Sequence, residues 1–126
     1  MKILDNLRYT ENHEWVLLDG DCAIVGVTDY AQSELGDIVY VDIDTLDQHL
    51  VVGDIFGSVE AVKTVSDLFM PVAGKVLELN DKLEINPELV NHDPYGDGWI
   101  IKVEFDGAIN DKLLSSNEYK DLIGLS

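Results

Sequence analysis

The sequence predicts an all-β-dominated fold, a small sandwich or barrel with two short helices at its edges. Three observations predict it. Apolar segments of strand length recur along the chain; glycine, aspartate and asparagine turns punctuate them; helix signals are confined to two places. In order, the strand segments are Trp15 to Leu18, Ala23 to Val27, Asp37 to Ile43, Gly53 to Val62, Gly74 to Leu79 and Trp99 to Phe105. In the last of them Trp99, Ile101, Val103 and Phe105 alternate with Ile100, Lys102 and Glu104, the pattern of a half-buried strand. The turns fall at Asp19-Gly20, Gly53, Asn80-Asp81, Asp97-Gly98 and Asp106-Gly107.

Thr28 is a suitable N-cap for a short helix over residues 29–35, with Asp29 at its positive end and Gly36 as its stop. Near the C-terminus Ser115-Ser116-Asn117-Glu118 has capping-box character, Tyr119, Leu122 and Ile123 form an apolar stripe, and Gly124 ends the helix. A weak echo links Gly36-Asp37-Ile38-Val39 to Gly53-Asp54-Ile55-Phe56, with Gly74-Lys75-Val76-Leu77 as a more distant third. Each glycine opens a strand.

At 126 residues and 46% hydrophobic content the chain predicts one domain, 1–126, around one core. Eight basic against twenty-five acidic residues give a net charge of −17, which argues against nucleic acid or an anionic membrane as the main partner. Cys22 is the only cysteine; its place in the run CAIVGV predicts a core residue, and its isolation suits a reducing compartment. No apolar stretch approaches the roughly 20 residues a spanning helix needs, and MKILDN is not a signal peptide. The expectation is a cytoplasmic monomer, or a mitochondrial-matrix form if processed.

Lys63 is the only Lys or Arg between Tyr9 and Gly74, a span of 66 residues that holds thirteen Asp or Glu. Ile55, Gly57, Val59 and Ala61 are assigned to one strand face and Phe56, Ser58, Glu60 and Val62 to the other, and extended structure resumes at Val65. Lys63-Thr64 therefore falls where the chain reverses. An exposed turn lysine is the plainer reading of these facts alone. An attachment point for a group that must swing clear of the protein competes with it. A Schiff-base lysine would need a desolvated amine of lowered pKa, which an acidic hairpin tip does not offer. A biotin carrier typically sets its lysine between methionines, whereas Lys63 stands between Val62 and Thr64.

Four blocks of sequence, in order, carry a resemblance. They are Tyr9-Thr10 with His13-Glu14-Trp15-Val16; Gly26-Val27-Thr28-Asp29-Tyr30-Ala31-Gln32 with Leu35-Gly36-Asp37-Ile38-Val39; Gly57-Ser58-Val59-Glu60-Ala61-Val62-Lys63 with Ser66-Asp67 and Pro71-Val72-Ala73-Gly74; and residues 91–99, NHDPYGDGW. Together they resemble the glycine cleavage system H protein family over nearly the whole chain. The resemblance implies a lipoyl-domain-like barrel-sandwich hybrid and a non-catalytic carrier, with lipoate joined by an amide to Lys63. It implies as partners a PLP-dependent glycine decarboxylase, a tetrahydrofolate-dependent aminomethyltransferase and a FAD-containing dihydrolipoamide dehydrogenase, with a lipoate ligase or octanoyl transferase and lipoyl synthase installing the arm. Cofactors would carry the hard chemistry and the protein would tether it.

The resemblance also implies an acidic cleft that shields the loaded arm, at positions matching Glu14 and Asp67, with Asn12 as a small polar neighbour. Without it, Glu14 reads equally as a solvated strand residue and Asp67 as a turn residue. His13 beside Glu14 is a poor metal signal, and His49 and His92 read as surface residues. The turn-rich tract 91–98 reads as a loop fixing the last strand, its charge available for docking. The chain departs from the family pattern at Ile43-Asp44-Thr45-Leu46-Asp47-Gln48-His49, at Ala61 and at Thr64-Val65. A lipoate or octanoate relay protein for 2-oxoacid dehydrogenases, or an unmodified structural or interaction domain, are the competing functions.

Overall fold

The structure, a computed structural model, describes residues 2–105 and 112–125. Nine strands are described: β1 (Arg8–Tyr9), β2 (Glu14–Asp19), β3 (Cys22–Val27), β4 (Ile38–Asp42), β5 (His49–Leu50), β6 (Ile55–Ala61), β7 (Val65–Phe69), β8 (Gly74–Leu79) and β9 (Ile101–Phe105). They form a six-stranded sheet in the order β1-β2-β3-β9-β8-β5 and a three-stranded sheet in the order β4-β6-β7. The recorded pairings are all antiparallel. Four short helices complete the described elements: α1 (Asp29–Leu35), α2 (Lys82–Ile85), α3 (Leu89–His92) and α4 (Ser116–Leu122).

Period-2 alternation explains how the sheets meet. Ala23, Val25 and Val27 of β3 and Val76 and Val103 of β8 and β9 face Ile38, Phe56, Val59 and Leu68 of the smaller sheet, and all are buried in one cluster. Cys22 is a correction to expectation. It lies half-buried at the β2–β3 turn, opposite Asp19, because alternation sends Ala23 and not Cys22 inward. A second cluster of Leu7, Tyr9, Trp15 and Tyr119 lies behind the large sheet.

The helix signals hold at both ends. Thr28 accepts from Ala31 N–H and caps α1, and Ser115 with Glu118 forms a reciprocal capping box on α4. Tyr119 of α4 is fully buried, stacks on Tyr9 at 4.7 Å between ring centroids, and places its hydroxyl 2.8 Å from Thr28 Oγ1 and 2.9 Å from His13 Nδ1. The stacked pair contributes on the order of 1 kcal/mol beyond its buried area. It also ties the C-terminal helix to the loop ahead of β2.

Other expectations change. Strand β6 carries a bulge between Ile55 and Gly57, so Ile55 is exposed and Phe56 buried, the reverse of the assigned faces; from Val59 onward the expected faces return. The last strand begins at Ile101, and Ile100, which lies ahead of the strand and its alternation, joins Ile101 in the main cluster. Asn80-Asp81 leads into α2, and Asn91 and His92 belong to α3 rather than to a loop. The expected turn at Asp106-Gly107 lies outside the described residues.

The echoed glycines open neighbouring strands. Gly36 precedes β4 with φ 80° and Gly53 precedes β6 with φ 90°, and β4 pairs with β6. The divergent segment 43–49 is anchored: Thr45 is buried and donates to Phe56 O at 2.8 Å, and Asp47 N–H donates to Val76 O at 2.8 Å. Among the described residues no helix is long and apolar enough to cross a membrane.

Candidate functional site

The β6–β7 hairpin has Ala61 and Thr64 as its last bonded pair, Ala61 N–H donating to Thr64 O at 2.8 Å, which leaves Val62 and Lys63 at the tip. Val62 is 76% exposed and Lys63 is exposed. Among the described residues Lys63 makes no hydrogen bond or ion pair through its ammonium. Its acidic field is therefore a matter of surroundings, not of a partner. A free amine on a short turn fits the chemistry of amide attachment.

The tip is braced at its base. Val62 N–H donates to Asp37 O at 3.0 Å, and the lysine side chain runs over Gly36, where an added Cβ would lie 3.3 Å from Lys63 Cε. Asn91 holds that corner from α3: its Oδ1 accepts from Ile38 N–H at 2.9 Å, and its Nδ2 donates to Gly36 O at 2.8 Å and Gln32 Oε1 at 3.1 Å. Sequence reading gave tract 91–98 the task of fixing the last strand and missed Asn91 as a brace for the hairpin's base. Asn91→Ala strands Gly36 O and Ile38 N–H and is expected to cost about 2 kcal/mol. Urea unfolding checks the loss.

Glu14 opens β2 and is 1% exposed, so the solvated reading fails. Its Oε1 accepts from Thr10 Oγ1 at 2.7 Å and its Oε2 from Phe69 N–H of β7 at 3.2 Å. Burial raises the carboxyl to about 7 against the pull of those two donors, with Thr10 the larger. Thr10 stands in the same sequence block as Glu14, whereas Phe69 N–H carried no sequence signal.

The loop that delivers Glu14 is tight. Thr10 N–H donates to Glu14 O at 3.0 Å, Thr28 N–H donates to His13 O at 3.0 Å, and His13 holds φ 68°. Its floor is fixed by Trp15, whose Nε1 donates to Pro94 O at 2.9 Å and whose ring lies against Gly26. Three of the four sequence blocks thus meet behind the site.

Glu14 and Asn12 line one cleft of about 660 Å³, with Thr10, Glu11, Met70 and Lys112 among its walls. Asp67 does not line it. It lies exposed on β7, opposite Ser58, between the turn and the cleft. Val65, Asp67 and Phe69 follow one another on one face of β7, and Phe69 N–H reaches Glu14. From residue 63 to residue 69 an extended chain covers about 20 Å. Strand β7 is the edge of its sheet, so this line from Lys63 to the cleft crosses no other strand. Among the described residues no group of three His, Cys, Asp or Glu could hold a metal ion.

The family model for the glycine cleavage H-protein matches residues 7–124. The chain is 53% identical over 124 residues to the glycine cleavage system H protein of Bacteroides thetaiotaomicron and 55% identical over 124 residues to that of Bacteroides fragilis, covering 98% of each chain in both pairs. A crystal structure of a glycine cleavage system H protein from Mycobacterium marinum is similar with a TM-score of 0.90 at 36% identity, over 98% of this chain and all of that one.

Proposed function

Because the chain belongs to the glycine cleavage H-protein family, with the barrel-sandwich fold of its structural neighbour, we propose that it carries a lipoyl group as an amide on Lys63 and passes one-carbon units among the enzymes of glycine cleavage. The observation that carries this reading is the unpartnered, exposed Lys63 at a braced hairpin tip, within a match that spans nearly the whole chain. The proposed partners are the glycine decarboxylase, the aminomethyltransferase and dihydrolipoamide dehydrogenase. A lipoate ligase, or an octanoyl transferase with lipoyl synthase, would load Lys63. The lipoyl dithiolane supplies the group-transfer and redox chemistry when attached. The protein acts as a single 126-residue carrier domain, a cytoplasmic monomer with no catalytic residue of its own.

What the chain contributes is presentation and shelter. The two-residue tip holds the Lys63 amide outward, and Asn91 keeps its base from drifting. The Glu14 cleft receives the far end of the arm. Its buried carboxylate can pair with a cationic amine in surroundings that screen such a pair poorly. Asn12 supplies a second polar contact at the rim. Asp67 lies beside the path and not in the cleft wall, so its role is a guide for a cation moving along β7.

The test is peptide mapping of protein purified from its native host. A mass gain of one lipoyl group on the peptide spanning residues 57–75, localised to Lys63, is the expected result. Lys75 lies within the same peptide, but in the sheet between β5 and β9, opposite His49 and Glu104. A bare Lys63 in cells that lipoylate their dehydrogenases would overturn the reading.

A further inference from the structure

Behind the Glu14 cleft three segments meet at a line of hydrogen-bonded side chains that the carrier role does not use. Thr28 caps α1: its Oγ1 accepts from Ala31 N–H at 3.1 Å and lies 2.8 Å from the Tyr119 hydroxyl, which lies 2.9 Å from His13 Nδ1. Thr28 and Tyr119 are fully buried and His13 is half-buried. The Tyr119 ring is held by its stack on Tyr9, whose own hydroxyl bonds both Leu4 N–H and Leu4 O. What stays free is the direction in which the protons of the line point.

The protons available fix that direction. Thr28 and Tyr119 carry one hydroxyl proton each, and burial raises Tyr119 to about 12, so it keeps its own. With Nδ1 bare, Thr28 donates to Tyr119, Tyr119 donates to Nδ1, and every proton in the line has an acceptor. With a proton on Nδ1 the line reverses. His13 then donates to Tyr119, Tyr119 donates to Thr28 Oγ1, and the Thr28 proton is left buried with no acceptor among the described residues. Burial also lowers the imidazole below its ordinary value, against the pull of Glu34. The groups that face His13 are Tyr30, at 4.9 Å between ring centroids, and Glu34 from α1, and Tyr119 from α4; Glu11 and Glu14 flank it in its own segment.

Helix α4 walls the cleft with Glu118 and Leu122, which stand on either side of Tyr119 in the chain. His13 precedes Glu14 and holds φ 68°, a conformation that His adopts more readily than most residues. We propose that neutral His13 is a positioning residue for the Glu14 cleft: through Tyr119 it locks α4 in place as the cleft's wall, and a proton on Nδ1 unlocks that wall. The unfolded chain takes up this proton first as pH falls, so the lock's contribution is complete above the ordinary histidine range and is lost below it. On the carrier, shelter of the arm becomes conditional on pH. That consequence rests on the cleft being the arm's shelter, whereas the lock itself is a property of the bare chain.

The test uses the full chain with Lys63 unmodified. Nitrogen-15 NMR at pH 7.5 should find His13 Nδ1 unprotonated, with a midpoint below that of an ordinary histidine that rises in Tyr119→Phe. Amide exchange of α4 is read at Tyr119 N–H and Ile123 N–H, which bond Ser115 O and Tyr119 O. Between pH 7.5 and pH 5 their protection relative to β3 should fall on the order of tenfold. His13→Asn supplies an acceptor that does not titrate, at a φ that Asn also tolerates, and should hold α4 equally at both pH values. Tyr119→Phe should leave α4 loose at both. Thermal unfolding confirms that each variant is folded. A protonated Nδ1 at pH 7.5, α4 protection in the native chain that does not change with pH, or a pH response that persists in His13→Asn would overturn the lock. A lipoylated Lys63 with a pH-independent α4 leaves the carrier standing and removes the lock; the expected exchange in a chain whose Lys63 is never lipoylated keeps the lock and removes the shelter.

Discussion

Lys63→Arg is expected to remove lipoylation completely and to reduce glycine cleavage, reconstituted with the three proposed partner enzymes, to the rate seen without this chain. Stability should change by less than about 0.5 kcal/mol, because the side chain is exposed and unpartnered. The two expectations together make the experiment decisive, since a folded and inert protein isolates the amine. Acylation needs a nitrogen that can release its proton and attack. The guanidinium of Arg stays protonated at any working pH, so the substitution keeps the charge and removes the nucleophile. The seven lysines of the chain are not equivalent substitutes. Lys82 is held by Asp97 at 3.3 Å, and Lys75 and Lys102 lie within strands. Among the described residues only Lys63 is a lysine at a two-residue hairpin tip with its base tied down on one side. Full activity of the variant would mean that the arm sits elsewhere or is not needed, and intact mass would tell which.

The hairpin was legible in the sequence because its signals are local. A glycine-led strand, a lone cation and a second extended run define a reversal without knowledge of anything distant, and the caps at Thr28 and Ser115 are local in the same way. What the sequence did not reveal depends on register. The bulge at Phe56 inverts the faces of β6 only at its start, and nothing in the order Ile55-Phe56-Gly57 marks which residue is extra. Short strands such as Arg8–Tyr9 and His49–Leu50 have too few residues for alternation to be seen. Glu14 and Asn91 illustrate the same limit at the site. The burial of Glu14 comes from β7 and from the cleft walls, far along the chain, and Asn91 acts on Gly36 and Ile38 more than fifty residues before it. Their family blocks pointed to positions; the physical work of those positions appears only when the two sheets are assembled.

A pH titration of stability should expose the cost of burying Glu14, compared between the native chain and Glu14→Gln. Below about pH 4.5 the carboxyl is protonated in the folded and the unfolded chain alike and contributes no difference. Between that value and about 7 the folded chain retains a proton that the unfolded chain has released, so stability falls as pH rises. Above about 7 the full cost is present, on the order of 3 kcal/mol for a shift of this size. Glutamine keeps an acceptor for Phe69 N–H, and the Thr10 hydroxyl can turn to accept from the new amide. The substitution should therefore gain stability over the native chain progressively from pH 5 to pH 8, read from urea midpoints. A difference that stays flat would show that Glu14 is solvated and titrates near its ordinary value. Glu11, Glu118 and Lys112 line the same cleft, and His13 precedes Glu14 in the chain; all four are common to both proteins, so subtraction removes their direct contribution. The buried carboxyl already accepts from the Thr10 hydroxyl and Phe69 N–H, and an amine drawn into the cleft would lower its pKa and release a proton. Carbon-13 NMR of the Glu14 carboxyl should then show its midpoint moving down when an amine-bearing arm occupies the cleft, and staying near 7 in the Lys63→Arg protein.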